Sequence, residues 1–166
     1  MNRVYFDYAA STPLDESVKK ELLNSLDIFS NPSSQYESGR DAKKLLDESR
    51  KTCAGFLQCN YDEIVFTSGS TESNNLAILG SAYKKKHGRI ISISTEHASV
   101  REPLDKLKKE GFEIIYIDVD KNGIIDMQSF INALNEETIL VTISYASSEI
   151  GTIQPITKIG QAIKSY

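Results

Sequence analysis

Apolar side chains recur along the chain in two spacings, one typical of amphipathic helices and one typical of buried strands. The helical spacing predicts helices after Pro13, over 36–57, over 70–86, from Val100 to Leu107, from Met127 to Leu134 and from Ile156 onward. Short runs of β-forming residues predict strands at 3–6, 63–67, 89–94, 112–118 and 138–144. In the helix over 70–86, the predicted apolar face carries Leu76, Leu79, Gly80 and Tyr83.

This alternation of strands and helices is typical of βαβ units, in which helices connect parallel strands and pack on the sheet. The runs at 89–94, 113–117 and 138–143 are rich in apolar residues with little alternation, as expected of strands that are covered on both faces. We therefore predict a three-layer α/β protein with a mostly parallel sheet. Ligands of such sheets bind beyond the carboxyl ends of the strands, which here are the segments 67–71, 94–98 and 144–151.

The first of these segments reads Thr-Ser-Gly-Ser-Thr and leads directly into a predicted helix. A helix N-terminus carries unpaired N–H groups and the positive end of the helix dipole, which together suit an anion. Gly69 lets a ligand approach the backbone closely, and Ser70 and Thr71 add hydroxyl donors. The same residue types also cap helices that bind no ligand, so both interpretations stay open. The spacing and the lysine of a Walker A loop are missing.

Polar residues also follow the other two strands. His97 comes just after the strand at 89–94, where ligands of parallel sheets bind. Ser147, Ser148 and Glu149 follow the strand at 138–144. A structural histidine and an ordinary polar loop are the alternatives. The second histidine, His87, precedes a glycine and is expected at a solvated helix end.

Composition narrows the class of protein. The 166 residues are enough for one domain with a core, and the net charge of −4 gives no reason to expect binding to nucleic acid or an anionic membrane. Neither a membrane-spanning run nor a signal-peptide core is visible, so we expect a cytoplasmic protein. Cys53 and Cys59 match neither a CxxC motif nor a zinc pair. We expect Cys53 to pack inside a helix face, Cys59 to be exposed and no metal to bind.

One segment imitates a calcium-binding loop. The run at 118–126 has acidic residues and a glycine at suitable positions. Its twelfth position is Ser129, where such a loop needs a bidentate glutamate, and a strand rather than a helix precedes it. We therefore interpret Asn122 and Gly123 as a tight turn.

Several longer stretches resemble class V aminotransferases, a family of pyridoxal-phosphate enzymes, and within it the cysteine desulfurases of the NifS/IscS type. The resembling stretches are VYFDYAASTPLDE, NPSSQYESGRDAKKLLDESR, EIVFTSGSTESNNLAI, STEHASV, GFEIIYIDVDKNGIID and TILVTISYASSEIGTIQPI. The resemblance implies the N-terminal portion of the large domain of a PLP-dependent transferase of fold type I. It also implies a single partial domain, with residues 1–14 as an N-terminal segment and 15–166 as part of the PLP-binding domain.

The resemblance implies roles for individual residues. The turn with Gly69, Ser70 and Thr71 corresponds to the one that holds the phosphate of pyridoxal 5'-phosphate. His97 corresponds to the catalytic histidine, which stacks on the pyridine ring of the cofactor and helps to move protons. Ser148 corresponds to a residue that contacts the phenolic oxygen of the ring. Asn31, in the loop SNPSS, corresponds to a loop near the substrate end of the site.

The chain departs from the family pattern in two ways. Where the family has His-x-Asn-Asn-Glu, residues 145–149 read Tyr-Ala-Ser-Ser-Glu. Serine is shorter than asparagine and has no amide donor, so the contact to the ring oxygen is expected to lengthen or to pass through water. In the family, the lysine that anchors the cofactor lies further along the chain than the position of Tyr166. The same holds for the aspartate paired with the ring nitrogen, the persulfide cysteine and the arginine for the substrate carboxylate.

The resemblance therefore implies the N-terminal part of an enzyme that converts L-cysteine to L-alanine and transfers the sulfur, for iron–sulfur clusters or thiolated products. The chain alone is expected to be inactive. The implied partners are a second copy in a homodimer, or a complementing C-terminal chain, and a sulfur-acceptor protein. Selenocysteine lyase and aminotransferase reactions are neighbouring alternatives. A catalytically silent module that binds a partner is the alternative from another class.

Overall fold

The sheet lies in the second of two units into which the chain divides, one running up to Phe66 and the other comprising Thr67–Tyr166. The computed structural model describes residues 4–166. Within this range the strands β1 (Arg89–Ile93), β2 (Glu113–Ile117) and β3 (Thr138–Thr142) form a parallel sheet in the order β2-β1-β3. The predicted parallel sheet is thereby confirmed, with β1 at its centre.

Helices cover both faces of this sheet. Helices α3 (Ser70–Lys85) and α4 (Ala98–Lys109) pack on one face, and helices α5 (Met127–Ala133) and α6 (Ile156–Lys164) pack on the other. Side chains of β1 alternate between the two layers. Ile90 belongs to the cluster with α3 and α4, while Ile91 and Ile93 belong to the cluster with α5 and α6. The predicted three-layer architecture is therefore confirmed.

The amino-terminal ends of β1 and β2 are joined by an ion pair. Arg89 and Glu113 are partners in the parallel register, and the guanidinium contacts the carboxylate through Nε at 2.8 Å and Nη2 at 2.9 Å. Nη1 of Arg89 also donates to the carbonyl oxygen of Ala133 at 2.7 Å. The arginine therefore connects two strands to the end of α5, at the edge of the sheet opposite the predicted ligand side.

The unit that ends at Phe66 contains helices α1 (Glu16–Ser25) and α2 (Glu37–Leu57) and a short 3-10 helix at Tyr61–Glu63. No residue of α1 is buried, and α2 buries Gly39 and Ala54. Cys53 is half-buried on α2 and Cys59 is exposed, as the sequence pattern predicts.

Two of the predicted strands are wrong. Residues 4–7 and 64–67 are irregular, and neither segment joins a sheet within the described part of the chain; Arg3 of the predicted strand 3–6 lies outside that part. Val65 is 66% exposed and Phe6 is 91% exposed. The apolar composition of these segments is suited to a strand, but a strand also needs a hydrogen-bonded neighbour. Ile64 has extended backbone angles, φ −86° and ψ 121°, without such a neighbour.

The predicted apolar face of α3 is only partly right. The helix buries Ile78 and Ala82, and Leu79 of the predicted face packs against the same cluster, whereas Leu76 and Tyr83 are about half exposed. Ile78 and Ala82 are four residues apart and share one side of the helix. Because most positions of α3 are apolar or small, its sequence alone is compatible with more than one buried face.

The tight turn at Asn122 and Gly123 is confirmed. Gly123 has a φ of +78°, and an antiparallel bridge joins Val119 to Ile125 across the turn. Residues 4–166 include no helix that is long and apolar enough to cross a membrane. They also bring together no cluster of three or more acidic, histidine or cysteine side chains suited to a metal ion.

Candidate functional site

A cleft of about 170 Å³ lies beyond the carboxyl ends of β1 and β3. Two of the three predicted segments line it together, the one at 94–98 and the one at 144–151. The residues that they contribute are Thr95, Glu96, His97, Ser144, Ala146, Ser147, Ser148, Glu149 and Ile150. The rule that places ligands at the carboxyl end of a parallel sheet therefore identifies a real concavity here.

A buried carboxylate holds the two sides of this cleft together. Glu96 is only 5% exposed, and its Oε2 accepts a hydrogen bond from Oγ of Ser144 at 2.6 Å. Its Oε1 accepts the backbone N–H of the same serine. A carboxylate removed from water needs such donors. Sequence reasoning missed this residue, although an acidic residue directly after an apolar strand was a usable signal.

His97 stands at the N-cap of α4, and its own side chain forms the cap. Nδ1 of the ring accepts the backbone N–H of Ser99 at 3.1 Å and lies 2.9 Å from Oγ of Ser99. Histidine is not among the residues that usually cap helices, and the cap fixes the orientation of the imidazole. The ring is on the exposed side of the helix start and lines the cleft.

Ser99 also connects His97 to the neighbouring helix. Nδ2 of Asn74, in the second turn of α3, donates to Oγ of Ser99 at 2.9 Å. The chain of hydrogen bonds thus runs from α3 through Ser99 to the imidazole. Sequence reasoning missed both Asn74 and Ser99, because partners that meet only in the folded state leave no local pattern.

The two serines of the third segment have different surroundings. The hydroxyl of Ser147 accepts the N–H groups of Glu149 and Ile150 at 3.3 and 3.4 Å, so it stabilises its own turn. Ser148 lines the cleft, and its hydroxyl has no hydrogen-bond partner among residues 4–166. Of the two, Ser148 is therefore the one whose hydroxyl is available to a ligand.

A buried glutamine connects the 145–154 loop to the turn at 120–125. Gln154 is 5% exposed; its Oε1 accepts the N–H of Ile125 at 3.0 Å, and its Nε2 donates to the carbonyl oxygen of Gly123 at 2.7 Å. A Cβ atom at Gly123 would lie 2.7 Å from Cδ1 of Ile150. The close packing of the 120–125 turn against the 145–154 loop shapes this side of the cleft.

The first predicted segment forms the N-terminus of α3 and does not line this cleft. Gly69 is the N-cap in an extended conformation, and the space around its Cα is open. Within the described residues, the N–H groups of Ser70 and Thr71 have no acceptor. Glu72 turns back onto Ser68, whose hydroxyl and N–H both donate to it at 2.6 Å and lower the pKa of its carboxyl.

Asn31 belongs to the other unit and is exposed. Its side chain accepts the N–H of Ser33 at 2.9 Å, and its carbonyl oxygen accepts the N–H of Ser34 at 3.0 Å. These bonds form a turn just ahead of α2. A Cβ atom at Gly39 would lie 2.6 Å from the carbonyl oxygen of Ser34, so the turn lies directly against the helix.

The donors on the second unit fit a ligand that carries a phosphate and a polar ring. The unpaired amides and hydroxyls at the start of α3 suit a phosphate, and the imidazole of His97 and the hydroxyl of Ser148 face a cleft. The hydrogen bonds through Asn74 and Ser99 connect the two groups of donors. No lysine is among the residues that line the cleft, so these residues offer no amine for a covalent link to an aldehyde.

Comparison with known proteins gives a consistent result. The family model described as aminotransferase class-V matches residues 4–166. Cysteine desulfurase IscS of Pseudoalteromonas translucida is 43% identical over 95% of this chain and 40% of its own length. A solved NifS-like protein is 33% identical, with a TM-score of 0.94 over 99% of this chain and 46% of its own.

A second solved structure, described as SspA in complex with cysteine, is 37% identical, with a TM-score of 0.92. It matches 97% of this chain and 47% of its own. The chain therefore spans less than half the length of the curated relatives that it matches, and its fold is the one found in these proteins.

Proposed function

Because the chain belongs to the class V aminotransferase family, we propose that it is the N-terminal part of a PLP-dependent cysteine desulfurase-like enzyme. The complete enzyme would convert L-cysteine to L-alanine and transfer the sulfur to an acceptor protein. The observation that carries this proposal is the connection of His97 to α3 through Asn74 and Ser99, in a chain 43% identical to a cysteine desulfurase. This connection supports the proposal because it links the helix that would hold the phosphate to a histidine that lines the cleft.

Each side chain has a definite task in this proposal. The N–H groups of Ser70 and Thr71, with the hydroxyl of Thr71, bind the phosphate of pyridoxal 5'-phosphate, and Gly69 leaves room for it. When bound, the cofactor supplies an electron sink for the substrate. His97 stacks on the ring and holds or moves a proton at its Nε2. Ser148 contacts the ring oxygen, directly or through water.

The remaining parts of the proposal concern the whole protein. Asn31 contributes to the substrate end of the site, residues 1–14 precede the PLP-binding domain, and residues 15–166 belong to it. The enzyme works in the cytoplasm as a homodimer or with a complementing C-terminal chain. Selenocysteine lysis and transamination are the related reactions. Because no lysine lines the cleft, a silent module that binds a partner is the second candidate.

A binding experiment tests the cofactor part. The chain is titrated with pyridoxal 5'-phosphate, with binding followed by absorbance and competed by inorganic phosphate. Removing one hydroxyl donor in Thr71→Ala is expected to weaken binding about five- to tenfold, the equivalent of one hydrogen bond. Thr52→Ala is the control, because Thr52 is exposed on α2 and its hydroxyl bonds only to the carbonyl oxygen of Glu48. Binding that is insensitive to phosphate and to Thr71→Ala contradicts the proposed phosphate site at the start of α3.

An activity experiment separates the two candidate functions. The chain is assayed for alanine production from L-cysteine, alone and mixed with the C-terminal part of a desulfurase relative. Inactivity alone and activity in the mixture support the desulfurase proposal. Cofactor binding without activity in any mixture supports the silent module instead.

A further inference from the structure

The cap of α4 determines which ring nitrogen of His97 carries the proton. The backbone N–H of Ser99 lies 3.1 Å from Nδ1 of the ring. A backbone N–H can only donate, so Nδ1 must offer its lone pair. In the neutral imidazole the proton then resides on Nε2. Nε2 has no partner among residues 4–166, so its N–H is available to a ligand in the cleft.

The hydroxyl of Ser99 adds a second donor to the same nitrogen. The amide NH₂ of Asn74 can only donate, and it reaches Oγ of Ser99 at 2.9 Å. Oγ therefore acts as the acceptor for Asn74, and its own proton is directed to Nδ1 of His97 at 2.9 Å. Ser99 is 7% exposed, so water competes little for its hydroxyl.

We propose that Asn74 and Ser99 are positioning residues that keep the proton of the neutral His97 imidazole on Nε2. His97 then presents an N–H donor at Nε2 to a bound ligand, rather than a lone pair. Protonation of Nδ1 would break both hydrogen bonds from Ser99. The meaning of this for catalysis rests on the function proposed above, but the tautomer itself depends only on these hydrogen bonds.

Three carboxylates near the site act in the opposite direction, because negative charge favours the imidazolium. Glu96 and Glu149 line the same cleft as His97, and Glu72 lies in the first turn of α3. The carboxylate of Glu96 is engaged by Ser144 and that of Glu72 by Ser68. The inference is therefore that the contacts of 2.9 and 3.1 Å to Nδ1 decide the tautomer, while two of the three carboxylates are already engaged by serines.

Nuclear magnetic resonance of the histidine nitrogens tests this directly, without cofactor. The chain has two histidines, and His87, which is exposed near the end of α3, serves as the internal reference. In a long-range proton–nitrogen correlation, His97 is expected to show one nitrogen in the protonated range and one in the unprotonated range. His87 is expected to show the averaged pattern of exchanging tautomers. An averaged pattern for His97, or a proton on its Nδ1, would overturn the proposal.

Two variants test the chain of hydrogen bonds. Ser99→Ala removes the hydroxyl donor and is expected to move His97 toward the averaged pattern, whereas Ser99→Thr should retain the original pattern. Asn74→Asp places an acceptor beside Oγ of Ser99, so the hydroxyl proton turns away from Nδ1 and the oxygen lone pair faces it. The His97 nitrogen pattern should then move toward a proton on Nδ1.

Asn75→Asp is the matched control for charge. In the parent protein, the side chain of Asn75 donates to the carbonyl oxygen of Thr71 and does not contact Ser99. It adds the same charge one residue further along α3, so the His97 nitrogen pattern should stay unchanged. Equal changes of the His97 nitrogen pattern in Asn74→Asp and Asn75→Asp would show a general charge effect and would overturn the proposed chain of hydrogen bonds. Loss of cofactor binding with an unchanged His97 pattern would count against the proposed function alone.

Discussion

The carboxylate of Glu96 accepts both the hydroxyl and the backbone N–H of Ser144. This pair joins the residue that follows β1 by three positions to the residue that follows β3 by two. His97 is the neighbour of Glu96 in the chain, so the same pair sets the distance between the imidazole and the 144–149 loop. The cleft therefore depends on a buried interaction that contributes no side chain to the proposed chemistry.

Removing one member of this pair should destabilise the protein. Ser144→Ala takes away one donor from a buried carboxylate, and the expected loss of unfolding free energy is about 1.5–3 kcal/mol. Glu96→Gln should lower the unfolding free energy by a similar amount. The amide of glutamine has one oxygen, so it cannot accept both donors of Ser144 on separate oxygens as the carboxylate does. Urea unfolding measures both. Ser165→Ala is the control, since its hydroxyl bonds within the end of α6 and is exposed.

The double variant distinguishes a direct interaction from two separate effects. Combining Ser144→Ala with Glu96→Gln should cost clearly less than the sum of the single losses, because both remove the same interaction. Strict additivity would mean that the two residues act independently, contrary to the geometry.

Replacing the amide of Gln154 with a carboxylate should destabilise the protein. In Gln154→Glu the donor to the carbonyl oxygen of Gly123 is lost and two oxygens face each other at the present distance of 2.7 Å. The expected loss of unfolding free energy is about 1–3 kcal/mol. The matched change Gln128→Glu on the exposed side of α5, where the amide bonds only to Asn132, should stay within about 0.5 kcal/mol of the parent. Similar effects of both changes would contradict the role assigned to Gln154.

The sequence predicted the layers of the fold and much of the cleft because both depend on local patterns. Periodic apolar residues identify helices and buried strands, and the ends of parallel strands converge by topology. His97 and Ser148 could therefore be placed near each other in advance. Glu96 and Gln154 could not, because their partners lie 48 and 29 positions away in the chain. The error at 63–67 has the same origin, since pairing with another strand is not a local property.

Two glycines should respond in opposite directions to the same substitution. Gly123→Ala places a methyl group 2.7 Å from Ile150, at a backbone φ of +78°. Strain and the steric clash are expected to destabilise the protein by about 1–3 kcal/mol. Gly160 lies inside α6 with open space around its Cα, so Gly160→Ala should stabilise by about 0.5–1 kcal/mol. Thermal unfolding of both variants measures the contrast, and a loss of stability in Gly160→Ala would contradict it.

Acid should weaken the protein partly through the N-cap of α5. The hydroxyl of Ser129, followed by the N–H groups of Ser129 and Gln128, lowers the pKa of Asp126 below its ordinary value of 3.8. A carboxyl whose pKa is lower in the folded state contributes stability above the unfolded value, and this contribution is lost as the pH falls through the folded value. The loss is therefore expected below about pH 4.

Asp126→Asn tests this linkage because asparagine keeps a capping oxygen but does not titrate there. The variant should show a shallower decline of unfolding free energy between about pH 4 and pH 2 than the parent protein. Asp41→Asn is the control, since Asp41 is exposed on α2 and forms no side-chain hydrogen bond within the described residues. The comparison is made by urea unfolding at a series of pH values. If the unfolding free energy of Asp126→Asn falls with pH as steeply as that of the parent and of Asp41→Asn, the cap of α5 does not contribute to the acid sensitivity. The lowered pKa of Asp126 would then not affect stability.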